Sequence, residues 1–230
     1  MQTKQTKQTN LEIREEMVQV VRELYAVGLI TATGGNVSVR LPESEQAQVL
    51  ITPSQFFKGD LRPALLVEIG LNGQKLVDEA PKPSMEWPMH CAIYAARPDV
   101  GAIIHAHALH ATILGMADLP FRPVSTEAAL LGELPRVPYF IPGTRELAEA
   151  VTSALGDGAA VLMQNHGLLV VGHNLRRAAN TAEIVERTAE MILGCYAVGR
   201  EPKTLPEEML PALRQLGKTL ARVGIVCGRC

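Results

Sequence analysis

The 230-residue sequence lacks any run of about 18 uncharged apolar residues, which excludes an ordinary membrane-spanning helix. It also lacks a charge excess. Its 22 Lys and Arg against 24 Asp and Glu give a formal −2 and a pI near 6.3, leaving no electrostatic footprint for nucleic acid or an anionic membrane. The opening "MQTKQTKQTNLEIREE" has no apolar core of a secretory signal, so residues 1–10 read as a disordered leader and the cytoplasm as the compartment. Cysteine is sparse and scattered (Cys91, Cys195, Cys227, Cys230), which argues against a disulfide framework. The terminal "CGRC" has no second CxxC to complete a zinc site and does not open a helix after a strand, so it reads as a pair of tail thiols. Repeats, low-complexity tracts and domain-separating linkers are missing too. Residues 11–230 then suit one domain with a substantial core and a C-terminal helical tail.

What is present alternates helices with short apolar strands. "NLEIREEMVQVVRELYAVG" places Leu11, Met17, Val20, Val21 and Leu24 at helical spacing, with Asn10 as the expected N-cap and Gly28 as the stop. "GGNVSVRL" sets Val37, Val39 and Leu41 against Ser38 and Arg40, the pattern of a half-buried strand. "QVLIT" reads as a strand, and "LLVEIGLNGQKL" as a hairpin turning at Asn72-Gly73. "PSMEWPMHCAIYAARP" reads as a helix capped by Ser84, with Pro88 tolerated in the first turn. "VGAIIHAHA" is a strand, and "AAVLMQNHGLLVVG" is two buried strands or one interrupted strand. "GTRELAEAVTSALG" opens on a Thr144 cap and closes on Gly156. "LRRAANTAEIVERTAEMILGCYAVG" is a long helix. The expected class is α/β with a mixed sheet.

Within this pattern "VGAIIHAHALHATILG" sets His105, His107 and His110 in an apolar run. Imidazoles are costly to bury unless something satisfies their nitrogens. On a strand, His105 and His107 are two residues apart and project from one face, so they can converge on one cation. His166, in "QNHGLLVVG", can supply a third nitrogen, and Glu86 a carboxylate. Three protein ligands with an open position describe a catalytic metal site better than a structural one. His110 lies off that face and reads either as a support behind the ligands or as structural, while His90 and His173 have no comparable spacing.

These motifs resemble the class II aldolase/adducin family over residues 12–200. The resemblance is carried by "TGGNVSVR", "ITPS", "KPSMEW", "RPDVGAIIHAHALHAT", "PGTRELAEAV" and "NHGLLVVG", in the family's order. It implies a three-layer α/β/α fold around a mixed, largely antiparallel sheet. It further implies a divalent metal, usually zinc with manganese as the alternative, on His105, His107 and His166. Glu86 would be an acid/base and an additional ligand, and the chain would assemble as a homotetramer. Substrate-lining residues would be Gly35, Asn36, Thr52, Ser54 and Ser84. The implied reaction is aldol cleavage of a small hydroxylated ketone or sugar phosphate through an enediolate, with the metal as Lewis acid. A decarboxylase or 4-epimerase on the same site and a non-catalytic adducin-like binding module are the alternatives.

The sequence departs from the family pattern in two places. Gln55 stands where glycine is common, and Met85 where a second serine is common, which puts a phosphate in question. The tyrosines that fuculose-phosphate-aldolase-like enzymes use as proton donors are missing, which leaves His110, Tyr139 or water for that role.

Overall fold

Period-two alternation decides which layer each strand side chain enters. Along strand β4 (Ala102–Ala106), Ala102, Ile104 and Ala106 join one apolar cluster, while Ile103 joins another on the opposite face. β7 (Gly167–Gly172) behaves alike, with Leu168 and Val170 on the first face and Leu169 and Val171 on the second. Both faces are therefore covered, as the near-continuous apolar runs of these strands require. The first cluster is closed by α1 (Asn10–Ala26) and α6 (Leu175–Ala197), together with α3 (Leu109–Met116). The second is closed by α2 (Trp87–Ala96) and α5 (Arg145–Leu155).

The computed structural model describes residues 9–41 and 49–221. Residues 1–8 of the expected leader, and the Cys227/Cys230 pair, lie outside the described residues. The remaining strands are β1 (Asn36–Arg40), β2 (Val49–Ile51), β3 (Val67–Ile69), β5 (Arg136–Val137) and β6 (Ala160–Met163). They form a seven-stranded sheet in the order β3-β2-β1-β4-β7-β6-β5. Every pairing is antiparallel except the parallel β5–β6 edge. The architecture is the α/β/α sandwich on a mixed, largely antiparallel sheet that the sequence led us to expect. Two further helices, α4 (Thr126–Leu131) and α7 (Leu210–Ala221), pack against each other.

Several local expectations need correction. Thr9, not Asn10, caps α1, in a reciprocal box with Glu12, and Leu11 is exposed while Ile13 takes the buried position. Helix α2 starts at Trp87, after Glu86. Ser84 does not cap it but accepts the Glu86 N–H at 3.3 Å. The Asn72-Gly73 turn places only Gly73 at positive φ, giving a three-residue loop with a bulge, and its second strand shrinks to a single bridge between Ile69 and Lys75. Arg40 does not face solvent. Its guanidinium donates to the carbonyls of Tyr94, Arg97 and Val100, tying β1 to the C-terminal end of α2.

Candidate metal centre and proton-transfer site

Three elements deliver the histidines. Antiparallel pairing aligns His105 on β4 with Leu169 on β7 and Asn36 on β1. His107 lies just beyond the end of β4. His166 lies in the loop between β6 and β7, where Met163 pairs with Gly167. Asn165 in that loop holds φ +57°, a left-handed conformation that Asn tolerates and that swings His166 back toward the sheet. Close approach needs glycines around these rings. A Cβ on Gly34 would fall 2.6 Å from His107 Nδ1, and one on Gly167 would fall 2.5 Å from the Ala106 carbonyl. Gly35 takes φ +77°, and a Cβ there would lie 2.9 Å from the His105 carbonyl.

Glu86 reaches the same point from the N-terminal end of α2. Its Oε2 lies 3.3 Å from His105 Nε2 and its Oε1 3.4 Å from His166 Nε2, while His105 Nε2 and His107 Nε2 are 3.2 Å apart. One ligating atom from each histidine falls within 4.8 Å of the others. Corners of a tetrahedron with bonds of about 2.0–2.1 Å lie about 3.3–3.4 Å apart, so the three shorter separations suit a small divalent ion, around which the wider-spaced histidine nitrogens would have to draw in. The donor chemistry agrees. His105 Nδ1 donates to the Leu168 carbonyl at 3.1 Å, which leaves the Nε2 lone pair directed at the cluster. Glu86 Oε1 is buried without a hydrogen-bond partner. Burial first, then the charges of His166 and His107, holds the His105 pKa well below its ordinary value. Burial and the His166 charge likewise lower His107. Both rings are therefore neutral ligands near pH 7, as metal binding needs. The four groups could hold a metal ion.

Three loops enclose the cluster. The Lys58 N–H donates to the Ala32 carbonyl, and a bridge joins Pro53 to Pro83. Ser54 N–H donates to the Lys82 carbonyl and Ser84 N–H to the Thr52 carbonyl. Thr52 is fully buried and its Oγ1 accepts the Val37 N–H, so its oxygen braces β1. Ser54 is half-buried, and Ser84 is buried beside Glu86. Gln55 holds φ +52°, so this loop keeps a backbone that glycine fits, at about 1–2 kcal/mol. His110 is held at the start of α3: its Nδ1 lies 2.9 Å from Glu186, whose two oxygens accept the His110 and Ala111 N–H groups. Tyr139 and His173 are exposed.

With the geometry established, comparison with known proteins decides the family. The Class II Aldolase and Adducin N-terminal domain family matches residues 15–193. The chain belongs to this family. Relatives with assigned activities differ in reaction. An L-fuculose phosphate aldolase of Escherichia coli O6:H1 is 33% identical over 210 residues, covering 90% of this chain and 95% of that protein. A 3-oxo-tetronate 4-phosphate decarboxylase of E. coli K12 is 32% identical over 196 residues, covering 83% and 89%. Among solved structures, an L-fuculose 1-phosphate aldolase superposes with a TM-score of 0.82 at 32% identity, covering 92% of this chain and all of that one.

The residue that sequence reasoning passed over is His90. It is fully buried beneath the site, 2.6 Å from Asn36, whose Nδ2 donates to Glu86 Oε2 at 2.8 Å. The available signal was its spacing, four residues after Glu86 on a helix.

Proposed function

We propose that this family member is a divalent-metal-dependent carbon–carbon lyase, an aldolase cleaving a small ketose phosphate. The observation that carries the reading is the convergence of His105, His107, His166 and Glu86 in one cluster, with His105 and Glu86 buried and His107 and His166 half-buried. A divalent cation there, zinc before manganese, would supply positive charge to the electron pair released when the carbon–carbon bond breaks. The three imidazoles hold it. Glu86 moves the proton: Asn36 anchors Oε2, while Oε1 has no hydrogen bond, lies 3.4 Å from His166 Nε2 and can give or take that proton. Gly35, Asn36, Ser54 and Ser84 line the substrate's polar end, with Thr52 holding their loops together.

Lys58 supports an anionic substrate. Its side chain is 2% exposed and has no ion-pair or hydrogen-bond partner among the described residues. Burial pushes its pKa down to about 8, and its charge reaches His107. A buried cation without a counter-charge is unfavourable, and a substrate phosphate would supply one. The exposed apolar side chains Met85, Tyr139 and Ile141 suit a homo-oligomeric contact, by family likeness a tetramer. We assign the enzyme to the cytoplasm, where its free thiols Cys91 and Cys195 stay reduced.

The decarboxylase relative favours a second reading, in which the bond broken releases carbon dioxide instead of an aldehyde. Incubation with ketose phosphates, free ketoses and 3-oxo acid phosphates, with products followed by mass spectrometry, tests both. Aldehyde release from a ketose phosphate supports the aldolase, and carbon dioxide release selects the decarboxylase. Glu86→Gln should lower kcat by about 10²–10⁴ with an unchanged circular dichroism spectrum. Undiminished turnover would remove Glu86 from its role.

A further inference from the structure

Helix α2 and strand β1 face each other along matched repeats. Glu86, His90 and Tyr94 recur every four residues, about 6.0 Å along a helix. Asn36, Ser38 and Arg40 recur every two residues, about 6.6 Å along a strand. The two rows stay in step and interleave. Asn36 Nδ2 is 2.8 Å from Glu86 Oε2, and Asn36 Oδ1 is 2.6 Å from His90 Nε2. His90 Nδ1 is 2.7 Å from Ser38 Oγ, which is 2.9 Å from the Tyr94 hydroxyl. Arg40 closes the row on the Tyr94 carbonyl at 2.6 Å. From Glu86 to Tyr94 every member of this chain is buried.

The direction of each proton follows by elimination. Asn36 presents its NH2 to Glu86 and its oxygen to His90, and an amide oxygen only accepts. That oxygen needs a donor, so His90 carries its proton on Nε2. Burial holds the His90 pKa down at about 3, so the ring stays neutral and its Nδ1 is an acceptor. Ser38 therefore donates to Nδ1 and accepts from Tyr94. The hydrogen bonds run one way, from Tyr94 to the carboxylate.

We propose that His90, Ser38 and Tyr94 are positioning residues that lock the Asn36 amide in the orientation that anchors Glu86 Oε2 and leaves Oε1, beside His166, without a hydrogen bond. A ladder serving packing alone would not need this direction, since either tautomer of His90 could fill the space. The catalytic consequence rests on the proton-transfer role proposed for Glu86, whereas the tautomer does not.

Two measurements test it. In the full chain labelled with 15N-histidine, long-range 1H–15N correlation should find His90 protonated on Nε2 with a bare Nδ1. The opposite tautomer would overturn the proposal, because the Asn36 amide would then have to be turned around. In steady-state kinetics, His90→Leu should lower kcat about 10–100-fold, the scale of an ångström misplacement, with KM within about twofold and metal content unchanged. His90→Gln, whose amide can still donate to Asn36, should recover most of that loss. Equal losses in both variants, or a loss confined to KM, would also overturn it. Tyr94→Phe keeps the shape and removes only the outermost donor, so it provides the kinetic test if His90→Leu does not fold. Its kcat should fall several-fold at constant KM, and an unchanged kcat would contradict the proposal. A wild-type chain that turns over no ketose phosphate would fail the proposed function, while the imidazole spectrum would still decide the relay.

Discussion

Acidification should destabilise this fold through one buried imidazole. Burial holds His90 at a pKa of about 3, against about 6.5 for the same group in an unfolded chain. Between those values the unfolded chain binds a proton that the folded chain refuses. Stability is therefore fully present above about pH 6.5 and is lost progressively as pH falls toward 3. From pH 7.5 to pH 5 the loss from His90 alone is about 2 kcal/mol, a large share of an ordinary domain's stability. Urea unfolding followed by circular dichroism, with a chelator present to remove metal linkage, can read it for the wild type and His90→Gln. His105 and His107 are also pushed down and both chains contain them, so the difference between wild type and variant reads His90 together with its coupling to His105. The wild type should lose about 2 kcal/mol more than the variant over this interval. Identical pH dependences would refute the reasoning, because they would mean that His90 is solvated or already charged in the folded state.

Two other substitutions probe the walls of the site. Lys58→Met removes the unpaired cation while keeping an unbranched side chain, so the protein should unfold at the same or a higher urea concentration. KM for a ketose phosphate should nevertheless rise at least about tenfold, and an unchanged KM would separate Lys58 from the anion. Gly34→Ala places a Cβ 2.6 Å from the His107 ring, and displacing that ring should weaken metal affinity about 10–100-fold in a competitive chelator titration.

How much of this was legible in the sequence depended on whether the signal was local. Helix α1 announced itself through apolar periodicity, although its cap is Thr9 and not the expected Asn10, and the Thr144 and Gly156 ends of α5 fall where those residues stand. The HxH spacing pointed to the candidate site because its pair is local, while His166 and Glu86 were offered by "QNHG" and "PSMEW" and then matched by the family's motif order. Short elements escaped. Helices α3 and α4 and strand β5 carry too few residues to show a period, and α3 draws its cap from Glu186 on a distant helix. Ser38 and Arg40 were misjudged as the solvent side of a half-buried strand. Their partners His90, Tyr94 and the end of α2 are more than fifty residues away, so only the fold brings them together. Gln55 looked like a break in the anion-binding loop, yet its positive φ retains the loop's backbone.

The account depends on imidazoles from strand β4, its end and the distant β6–β7 loop sharing one divalent ion with a carboxylate beside it. Elemental analysis of the purified chain by plasma mass spectrometry, next to a variant carrying both His105→Ala and His166→Ala, addresses this most directly. About one zinc or manganese ion per wild-type chain, and none in the double variant, is the predicted result. A wild-type chain that arrives empty and takes up no divalent metal, or a double variant that keeps its ion, would contradict it.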